Sequence, residues 1–213
     1  MALLVFDLDG TLIDSREDLV QAVNATRVHM QREPLDGLLI QSYVGNGAMV
    51  LIQRAFGPET PPADIQAAHD FFISYYRQHP LDFTTLYPGI EAAVDELFHA
   101  GHKLAILTNK PLGITRRILT GLGMAERFFQ VYGGDSFPDK KPDPSGLLAL
   151  IAEAEVTPQD TWMIGDSAVD METARNAGVR SCGVTWGFQP ETLHKFPPDL
   201  LVDHISSFVT AVS

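Results

Sequence analysis

The sequence has 213 residues, of which 45% are hydrophobic and 20% are charged, as is typical of a soluble globular protein with room for one domain and a modest insert. Its formal net charge of −12 disfavours nucleic acid and anionic membranes as partners, because both would be repelled. A phosphorylated ligand would also be repelled, so a site for such a ligand requires positive charge of its own.

Strands and amphipathic helices alternate over most of the chain. The apolar segment Leu3–Phe6 predicts a first strand, and further strands are predicted at residues 103–108, 161–164 and 180–184. A helix with a buried stripe is predicted from the spacing of Ile90, Ala93, Val94, Leu97 and Phe98. Asp143 and Pro144 form a capping signal that predicts the start of another helix. The alternation predicts an α/β fold with a doubly wound, Rossmann-like parallel sheet.

Residues 15–81 depart from this alternation, because they contain no convincing strand. One helical face is predicted from the spacing of Leu19, Val23, Thr26 and Met30, and another helix is predicted at residues 65–78. A small all-helical insert after the first strand is predicted to be a cap domain over a catalytic core formed by residues 1–14 and 82–213. Residues 14–15 and 82–88 connect the two parts and are predicted hinges.

Polar residues follow several of the predicted strands. Open parallel sheets bind ligands beyond the carboxyl ends of their strands, so these residues are candidates for one site. Three acids, a hydroxyl and a cation are expected to converge there, and they come from Asp7-Leu8-Asp9, Thr108-Asn109-Lys110, Lys140-Lys141 and Asp166-Ser167, with Asp170 four residues after Asp166.

Four motifs in this order resemble the haloacid dehalogenase superfamily of phosphohydrolases over essentially the whole chain. They are DLDGT from residue 7, a threonine that ends a strand at residue 108, KKPDP from residue 140 and GDSAVD from residue 165. The resemblance implies that Asp7 is the nucleophile that becomes phosphorylated, and that Asp9 protonates the leaving oxygen and then activates water. It also implies that Thr108 and Lys141 neutralise the transferring phosphoryl group.

The same resemblance implies a magnesium site. Mg²⁺ prefers oxygen ligands, and Asp7, the backbone carbonyl of Asp9, and Asp166 would supply them. Asp170 and Ser167 would not bind the ion directly but would support the metal site or its lysine. The resemblance assigns the family lysine to Lys141 because a proline follows it, so the adjacent Lys140 is expected to be exposed.

A narrower resemblance concerns the phosphoglycolate phosphatase branch. It rests on residues 43–48 (YVGNGA), residues 108–111 (TNKP) and residues 133–135 (GGD). Backbone amides at the start of a predicted helix could meet a substrate carboxylate there. The substrate-binding residues predicted on this basis are Asn109, Gly45, Asn46, Gly47 and, with a weaker signal, Arg54. An acid at Asp9 disfavours a dehalogenase or a phosphonate-cleaving enzyme, since those branches lack it.

Several alternatives stay open at this stage. The leading interpretation is hydrolysis of 2-phosphoglycolate or a similar small phosphorylated acid; the alternatives are a pyrophosphatase or other small-metabolite phosphatase, a beta-phosphoglucomutase-like isomerase, and a binding module. The single cysteine, Cys182, excludes an intramolecular disulfide. No apolar segment approaches the ~18 residues of a membrane span, and we expect a cytoplasmic protein, either monomeric or homodimeric.

Overall fold

The computed structural model describes residues 1–212 and contains eight strands and nine α-helices within them. Among these residues, no helix is both long enough and apolar enough to cross a membrane. The strands are β1 Leu3–Phe6, β2 Ile13–Asp14, β3 Thr85–Leu86, β4 Lys103–Leu107, β5 Gln130–Tyr132, β6 Thr161–Gly165, β7 Arg180–Val184 and β8 Leu200–Val202. The helices are α1 Arg16–His29, α2 Gly37–Gln41, α3 Ala48–Phe56, α4 Pro62–Gln78, α5 Ile90–His99, α6 Leu112–Gly121, α7 Ser145–Ala154, α8 Ala168–Ala177 and α9 Ile205–Val212.

Six of the strands form one parallel sheet in the order β5-β4-β1-β6-β7-β8. The first strand of the chain lies near the middle, where Phe6 is paired with Ile106 of β4 and Ile164 of β6. Its position between β4 and β6 means that three successive strand ends come together at one edge. The predicted α/β class with a doubly wound parallel sheet is confirmed.

Helices cover both faces of this sheet, as the alternating side chains of β1 require. Leu4 and Phe6 belong to the larger core cluster, with residues from α5 and α9. Leu3 and Val5 point to the opposite face and belong to a second cluster, with residues from α7 and α8. Burial on both sides fixes β1 in place, and with it the loop that begins at Asp7.

Helices α1–α4 all lie in the segment predicted as the cap. The chain enters this segment from β2 and leaves it into β3, and these two short strands pair with each other in antiparallel fashion. The buried Asp18 carboxylate on α1 accepts hydrogen bonds from Phe83 N at 3.0 Å, Thr84 N at 2.8 Å and Thr84 Oγ1 at 2.5 Å. The entry and exit connections are therefore held side by side.

Two local predictions differ from the structure. Phe98 was predicted to be part of the buried stripe of α5, but it is 42% exposed, and its ring is covered by the Arg127 guanidinium at 5.7 Å instead of by the core. The helix predicted to start with Pro144 begins at Ser145 instead, and Asp143 Oδ1 accepts from Ser145 N at 2.9 Å. The predicted core range ends at residue 213, which lies outside the described residues.

Candidate active site

A cavity opens at the carboxyl edge of the sheet, where helices α1, α3 and α4 face the ends of β1, β4 and β6. Its volume is about 660 Å³, including the solvent-filled mouth. Its lining combines residues of the predicted core, most of them polar, with residues of the predicted cap, most of them apolar. The core residues are Asp7, Asp9, Thr108, Asn109, Lys110, Lys141, Asp166, Ser167 and Asp170, and the cap residues include Leu19, Val44, Ala48, Leu51 and Phe72.

Three buried carboxylates form the centre of the site. Oxygen atoms of Asp7, Asp166 and Asp170 all lie within 4.8 Å of one another. Between two of them lies the ammonium group of Lys141, with its Nζ 2.9 Å from Asp7 Oδ1 and 2.6 Å from Asp170 Oδ1. One cation thus faces three acids in a buried cluster.

Burial and mutual repulsion change the acidity of this cluster. Burial raises the pKa of Asp7 to about 6, with Lys141 acting against it and Asp170 adding to it. Burial, together with the charges of Asp170 and Asp7, also raises the pKa of Asp166. For Lys141 burial acts to lower the pKa, but the charges of Asp170 and Asp7 outweigh it and the pKa lies above its usual value. A buried oxygen-rich group with an excess of negative charge fits a hard divalent cation.

Asp166 is held by the backbone that follows β7. Its Oδ2 accepts from Phe188 N at 2.5 Å and from Gln189 N at 3.2 Å. Gly10 has a φ of +83°, and a Cβ added there would lie 2.3 Å from the same oxygen. A glycine at this position therefore allows the loop after β1 to approach the Asp166 carboxylate closely.

Ser167 and Asp170 join this cluster to α8. Ser167 is the N-cap of the helix, and its Oγ and N donate to Asp170 Oδ2 at 2.7 and 3.2 Å. The other oxygen of Asp170 accepts from Lys141. Because both oxygens are engaged, Asp170 fixes the Lys141 ammonium in front of Asp7, as expected of a supporting residue.

Asp9 is bound by a lysine that the sequence analysis did not select as a site residue. Lys110 Nζ donates to Asp9 Oδ1 at 2.8 Å and Oδ2 at 3.0 Å, and to the hydroxyl of Tyr76 at 2.5 Å. Ser15 Oγ also donates to Asp9 Oδ1 at 2.5 Å. The sequence signals for Lys110 were its place two residues after the strand-end threonine and within the segment TNKP, and neither reveals these partners.

Asn109 and Gln189 connect the core to the cap loop before α3. Asn109 Nδ2 donates to Gly45 O and to Lys141 O, both at 3.1 Å. Gln189 Nε2 donates to Val44 O at 2.9 Å. Gly45 and Gly47 line the cavity beside Asn109, and α3 begins immediately afterwards at Ala48, so the predicted helix start at this loop is correct.

Two predicted substrate residues do not line the cavity. Asn46 lies between two lining glycines but is not part of the wall itself. Arg54 is exposed, and its guanidinium turns back along α3 to donate to Tyr43 O at 2.9 Å. Neither residue is thus brought to the cavity wall in this structure, and their roles in substrate binding stay predictions. Of the two adjacent lysines, Lys141 is buried at the cluster and Lys140 is exposed, which agrees with the expected difference between them.

The comparisons with known proteins agree with this geometry. The family model for haloacid dehalogenase-like hydrolases matches residues 4–184. The chain belongs to this family. A phosphoglycolate phosphatase from Vibrio vulnificus is 36% identical over 99% of this chain and 95% of its own length, and one from Cereibacter sphaeroides is 39% identical over 94% and 93%. The crystal structure of a predicted phosphoglycolate phosphatase from Haemophilus somnus superimposes with a TM-score of 0.94 at 29% identity, covering 100% of this chain and 98% of that chain.

Membership of the haloacid dehalogenase-like hydrolases makes this chain a hydrolase of phosphorylated compounds, and the predicted family and branch resemblance are both confirmed. Phosphatases of this family generally use a divalent metal ion. Within the cluster of three acids, Asp7 and Asp166 offer the carboxylate oxygens that such an ion requires, whereas both oxygens of Asp170 are already engaged by Ser167 and Lys141.

Proposed function

We propose that this chain is a magnesium-dependent phosphatase that hydrolyses 2-phosphoglycolate to glycolate and phosphate. The proposal rests above all on the cluster of Asp7, Asp166 and Asp170 around the Lys141 ammonium at the base of a cavity enclosed by the cap. The relatives named phosphoglycolate phosphatase cover nearly the whole chain and favour this substrate over other small phosphorylated acids.

Asp7 is the nucleophile in this proposal. A carboxylate oxygen of Asp7 attacks phosphorus as the bond between phosphorus and the glycolate oxygen breaks, which leaves an acyl phosphate on Asp7. Lys141 and Asp170 orient the attacking carboxylate, since the ammonium contacts both acids. Bound Mg²⁺, held by Asp7, Asp166 and the carbonyl of Asp9, would neutralise charge on the phosphoryl oxygens.

Asp9 moves the protons. In its acid form it gives a proton to the departing glycolate oxygen, which would otherwise leave as an unstable alkoxide. It then takes a proton from water as the water oxygen attacks phosphorus. The bond from phosphorus to Asp7 breaks, inorganic phosphate leaves, and Asp9 again carries its proton. Thr108 and Asn109 lie beside this path in the cavity wall, where the Thr108 hydroxyl and the backbone amides around Asn109 can donate to the phosphoryl oxygens.

The cap would select a small substrate and exclude water. We propose residues 15–81 as a cap domain that moves on hinges at residues 14–15 and 82–88, over a core of residues 1–14 and 82–213. Gly47 and Ala48, at the amino end of α3, line the cavity and offer backbone amides to the glycolate carboxylate. Apolar cap residues such as Leu51 and Phe72 offer no hydrogen-bond partners to the hydroxyl groups of a sugar.

Phosphate release from a panel of substrates tests the proposal. The panel contains 2-phosphoglycolate, pyrophosphate, glucose phosphates and nucleoside monophosphates, each with Mg²⁺ and with chelator, and Asp7→Asn runs beside the wild type. We expect the highest kcat/KM for 2-phosphoglycolate, loss of activity in chelator, and no turnover by the variant. A different best substrate would overturn the assigned substrate, and activity that survives Asp7→Asn would overturn the mechanism.

A further inference from the structure

Lys110 is a buried cation that the proposed mechanism leaves without a task. Its side chain is only 2% exposed, and its ammonium group contacts both oxygens of Asp9 and the hydroxyl of Tyr76. It also lies 4.5 Å from the centre of the Tyr76 ring. Removing an ammonium and a carboxylate from water costs about as much free energy as their attraction returns, so stability alone does not account for this pair.

The contacts of Lys110 restrict the orientation of Asp9, the acid that transfers the proton in the proposed mechanism. Asp9 lies on the loop after β1, where its backbone pairs with Ile13 and its side chain contacts Lys110 and Ser15. Lys110 binds both of its oxygens, and the Ser15 hydroxyl binds Oδ1 a second time. Asp9 and Asp7 line the same cavity, so these contacts hold the Asp9 carboxyl at the wall of the space in which the leaving group would lie.

Tyr76 adds a connection to the cap. It lies on α4, is 1% exposed, and its hydroxyl is the third partner of the Lys110 ammonium. Burial raises the pKa of Tyr76 to about 12, so the hydroxyl is neutral. A displacement of α4 away from the core would remove this partner, and with it one of the three contacts that fix the position of the ammonium beside Asp9.

We propose that Lys110 is the residue that positions Asp9 for proton transfer, and that the Tyr76 hydroxyl makes this positioning depend on the place of the cap. The inference rests on the proposed function, in which Asp9 is the proton donor. Lys110 is therefore a positioning residue and does not itself touch the reacting atoms. The arrangement would restrict proton transfer to the state in which the cap encloses the substrate.

Comparison of two leaving groups tests the inference. Glycolate needs a proton to leave, whereas the nitrophenolate of p-nitrophenyl phosphate is stable without one, and kcat/KM covers the steps up to departure of the leaving group. For Lys110→Met we expect kcat/KM on 2-phosphoglycolate to fall about 100-fold. On p-nitrophenyl phosphate the value should stay close to that of the wild type. Equal losses on both substrates would indicate a merely structural role and would overturn the inference.

Tyr76→Phe keeps the ring, and so it provides a test even if Lys110→Met fails to fold. We expect a selective loss of about 10-fold on 2-phosphoglycolate, because one hydrogen bond to a charged group is removed. Tyr75→Phe is the matched control on the same helix, where the Tyr75 ring stacks on His79 outside the cavity, and it should behave as the wild type. A loss in the control as large as that in Tyr76→Phe would contradict the inference.

Single turnovers separate this role from substrate binding. In them 2-phosphoglycolate is limiting and the enzyme is varied in excess. If Lys110 positions Asp9, both variants lower the maximal rate constant for glycolate release and leave the half-saturating concentration unchanged. A raised half-saturating concentration with an unchanged maximal rate would mean that Lys110 binds the substrate carboxylate instead. Asp9→Asn runs in parallel: if it retains full activity on 2-phosphoglycolate, the proposed function fails, whereas a defect in Asp9→Asn alone refutes only the inference.

Discussion

At the scale of single residues, the site is defined by a charge imbalance. Asp7, Asp166 and Asp170 are buried within 4.8 Å of one another, and Lys141 is the ammonium that contacts two of them. Such a cluster is unfavourable in an isolated protein, since each carboxylate loses its hydration and repels the others. The same imbalance attracts a divalent cation, and the Lys141 contacts orient the nucleophile. The groups that lower stability are therefore the ones that the proposed reaction requires.

Replacing Lys141 should remove most of the activity, whereas replacing the adjacent Lys140 should not. Lys141→Met leaves Asp7 and Asp170 without their ammonium partner, and we expect kcat to fall about 100- to 1,000-fold. Lys140→Met is the matched control, because Lys140 is adjacent in sequence but exposed. Steady-state phosphate release from 2-phosphoglycolate is the measurement. Equal losses in the two variants would contradict the assignment of the family lysine to Lys141.

The raised pKa of Asp7 predicts a pH-dependent effect on stability. Burial raises this pKa from 3.8 to about 6, so the native protein holds the proton in a range where the unfolded chain has released it. The stabilisation is complete below the unfolded value and is lost as the pH rises through the folded one. At neutral pH the charged Asp7 therefore destabilises the metal-free protein by up to about 3 kcal/mol.

Asp7→Asn removes that charge. In chelator we expect the variant to unfold at a higher temperature than the wild type above about pH 7, and the difference to shrink below about pH 5. Thermal unfolding followed by circular dichroism at both pH values is the measurement. A variant that is less stable than the wild type at both would show that the contact with Lys141 outweighs the burial of Asp7.

At the scale of elements, the loops after β1, β4 and β6 bring the site together, while α1 and the chain around β3 hold the cap connections. Asp18 on α1 accepts from the backbone amides of Phe83 and Thr84. Its loss would leave these amides without their acceptor. For Asp18→Ala we expect the free energy of unfolding to fall by about 2–4 kcal/mol, measured by urea denaturation.

Glu17→Ala is the control for this variant, because Glu17 is exposed in the same first turn of α1 and should change stability by less than about 0.5 kcal/mol. A similar small change for Asp18→Ala would mean that water replaces the carboxylate at the two amides. The role of Asp18 in holding the connections together would then be wrong.

The elements differ in how far the sequence could predict them. Strand ends and the loop before α3 were predictable because apolar runs, Asp-rich turns and glycines are local signals. Lys110 was missed because its partners, Asp9 and Tyr76, are 101 and 34 residues away in the chain. Arg54 was assigned to the substrate because its helix was correct, but a helix position does not specify which carbonyl a long side chain finds.

At the scale of the whole molecule, the net charge of −12 makes every anionic substrate dependent on local cations. In the described residues, Lys110 and Lys141 line the cavity, and each is paired with acids of the site. These acids therefore largely neutralise the positive charge of the two lysines before a substrate binds. An additional divalent cation would make the site attractive to a phosphate dianion, which links metal binding to substrate binding.

The same linkage predicts that metal binding stabilises the whole fold. A ligand that binds only the native state stabilises it by about 2.7 kcal/mol at 100 times its dissociation constant, which corresponds to roughly 5–10 °C for a protein of this size. We expect saturating Mg²⁺ to raise the unfolding midpoint of the wild type by this amount and chelator to reverse the change. Asp166→Asn should abolish most of the shift, because the variant loses a charged ligand from the cluster. An undiminished shift in Asp166→Asn would place the ion elsewhere and would contradict the role of Asp166 as a metal ligand.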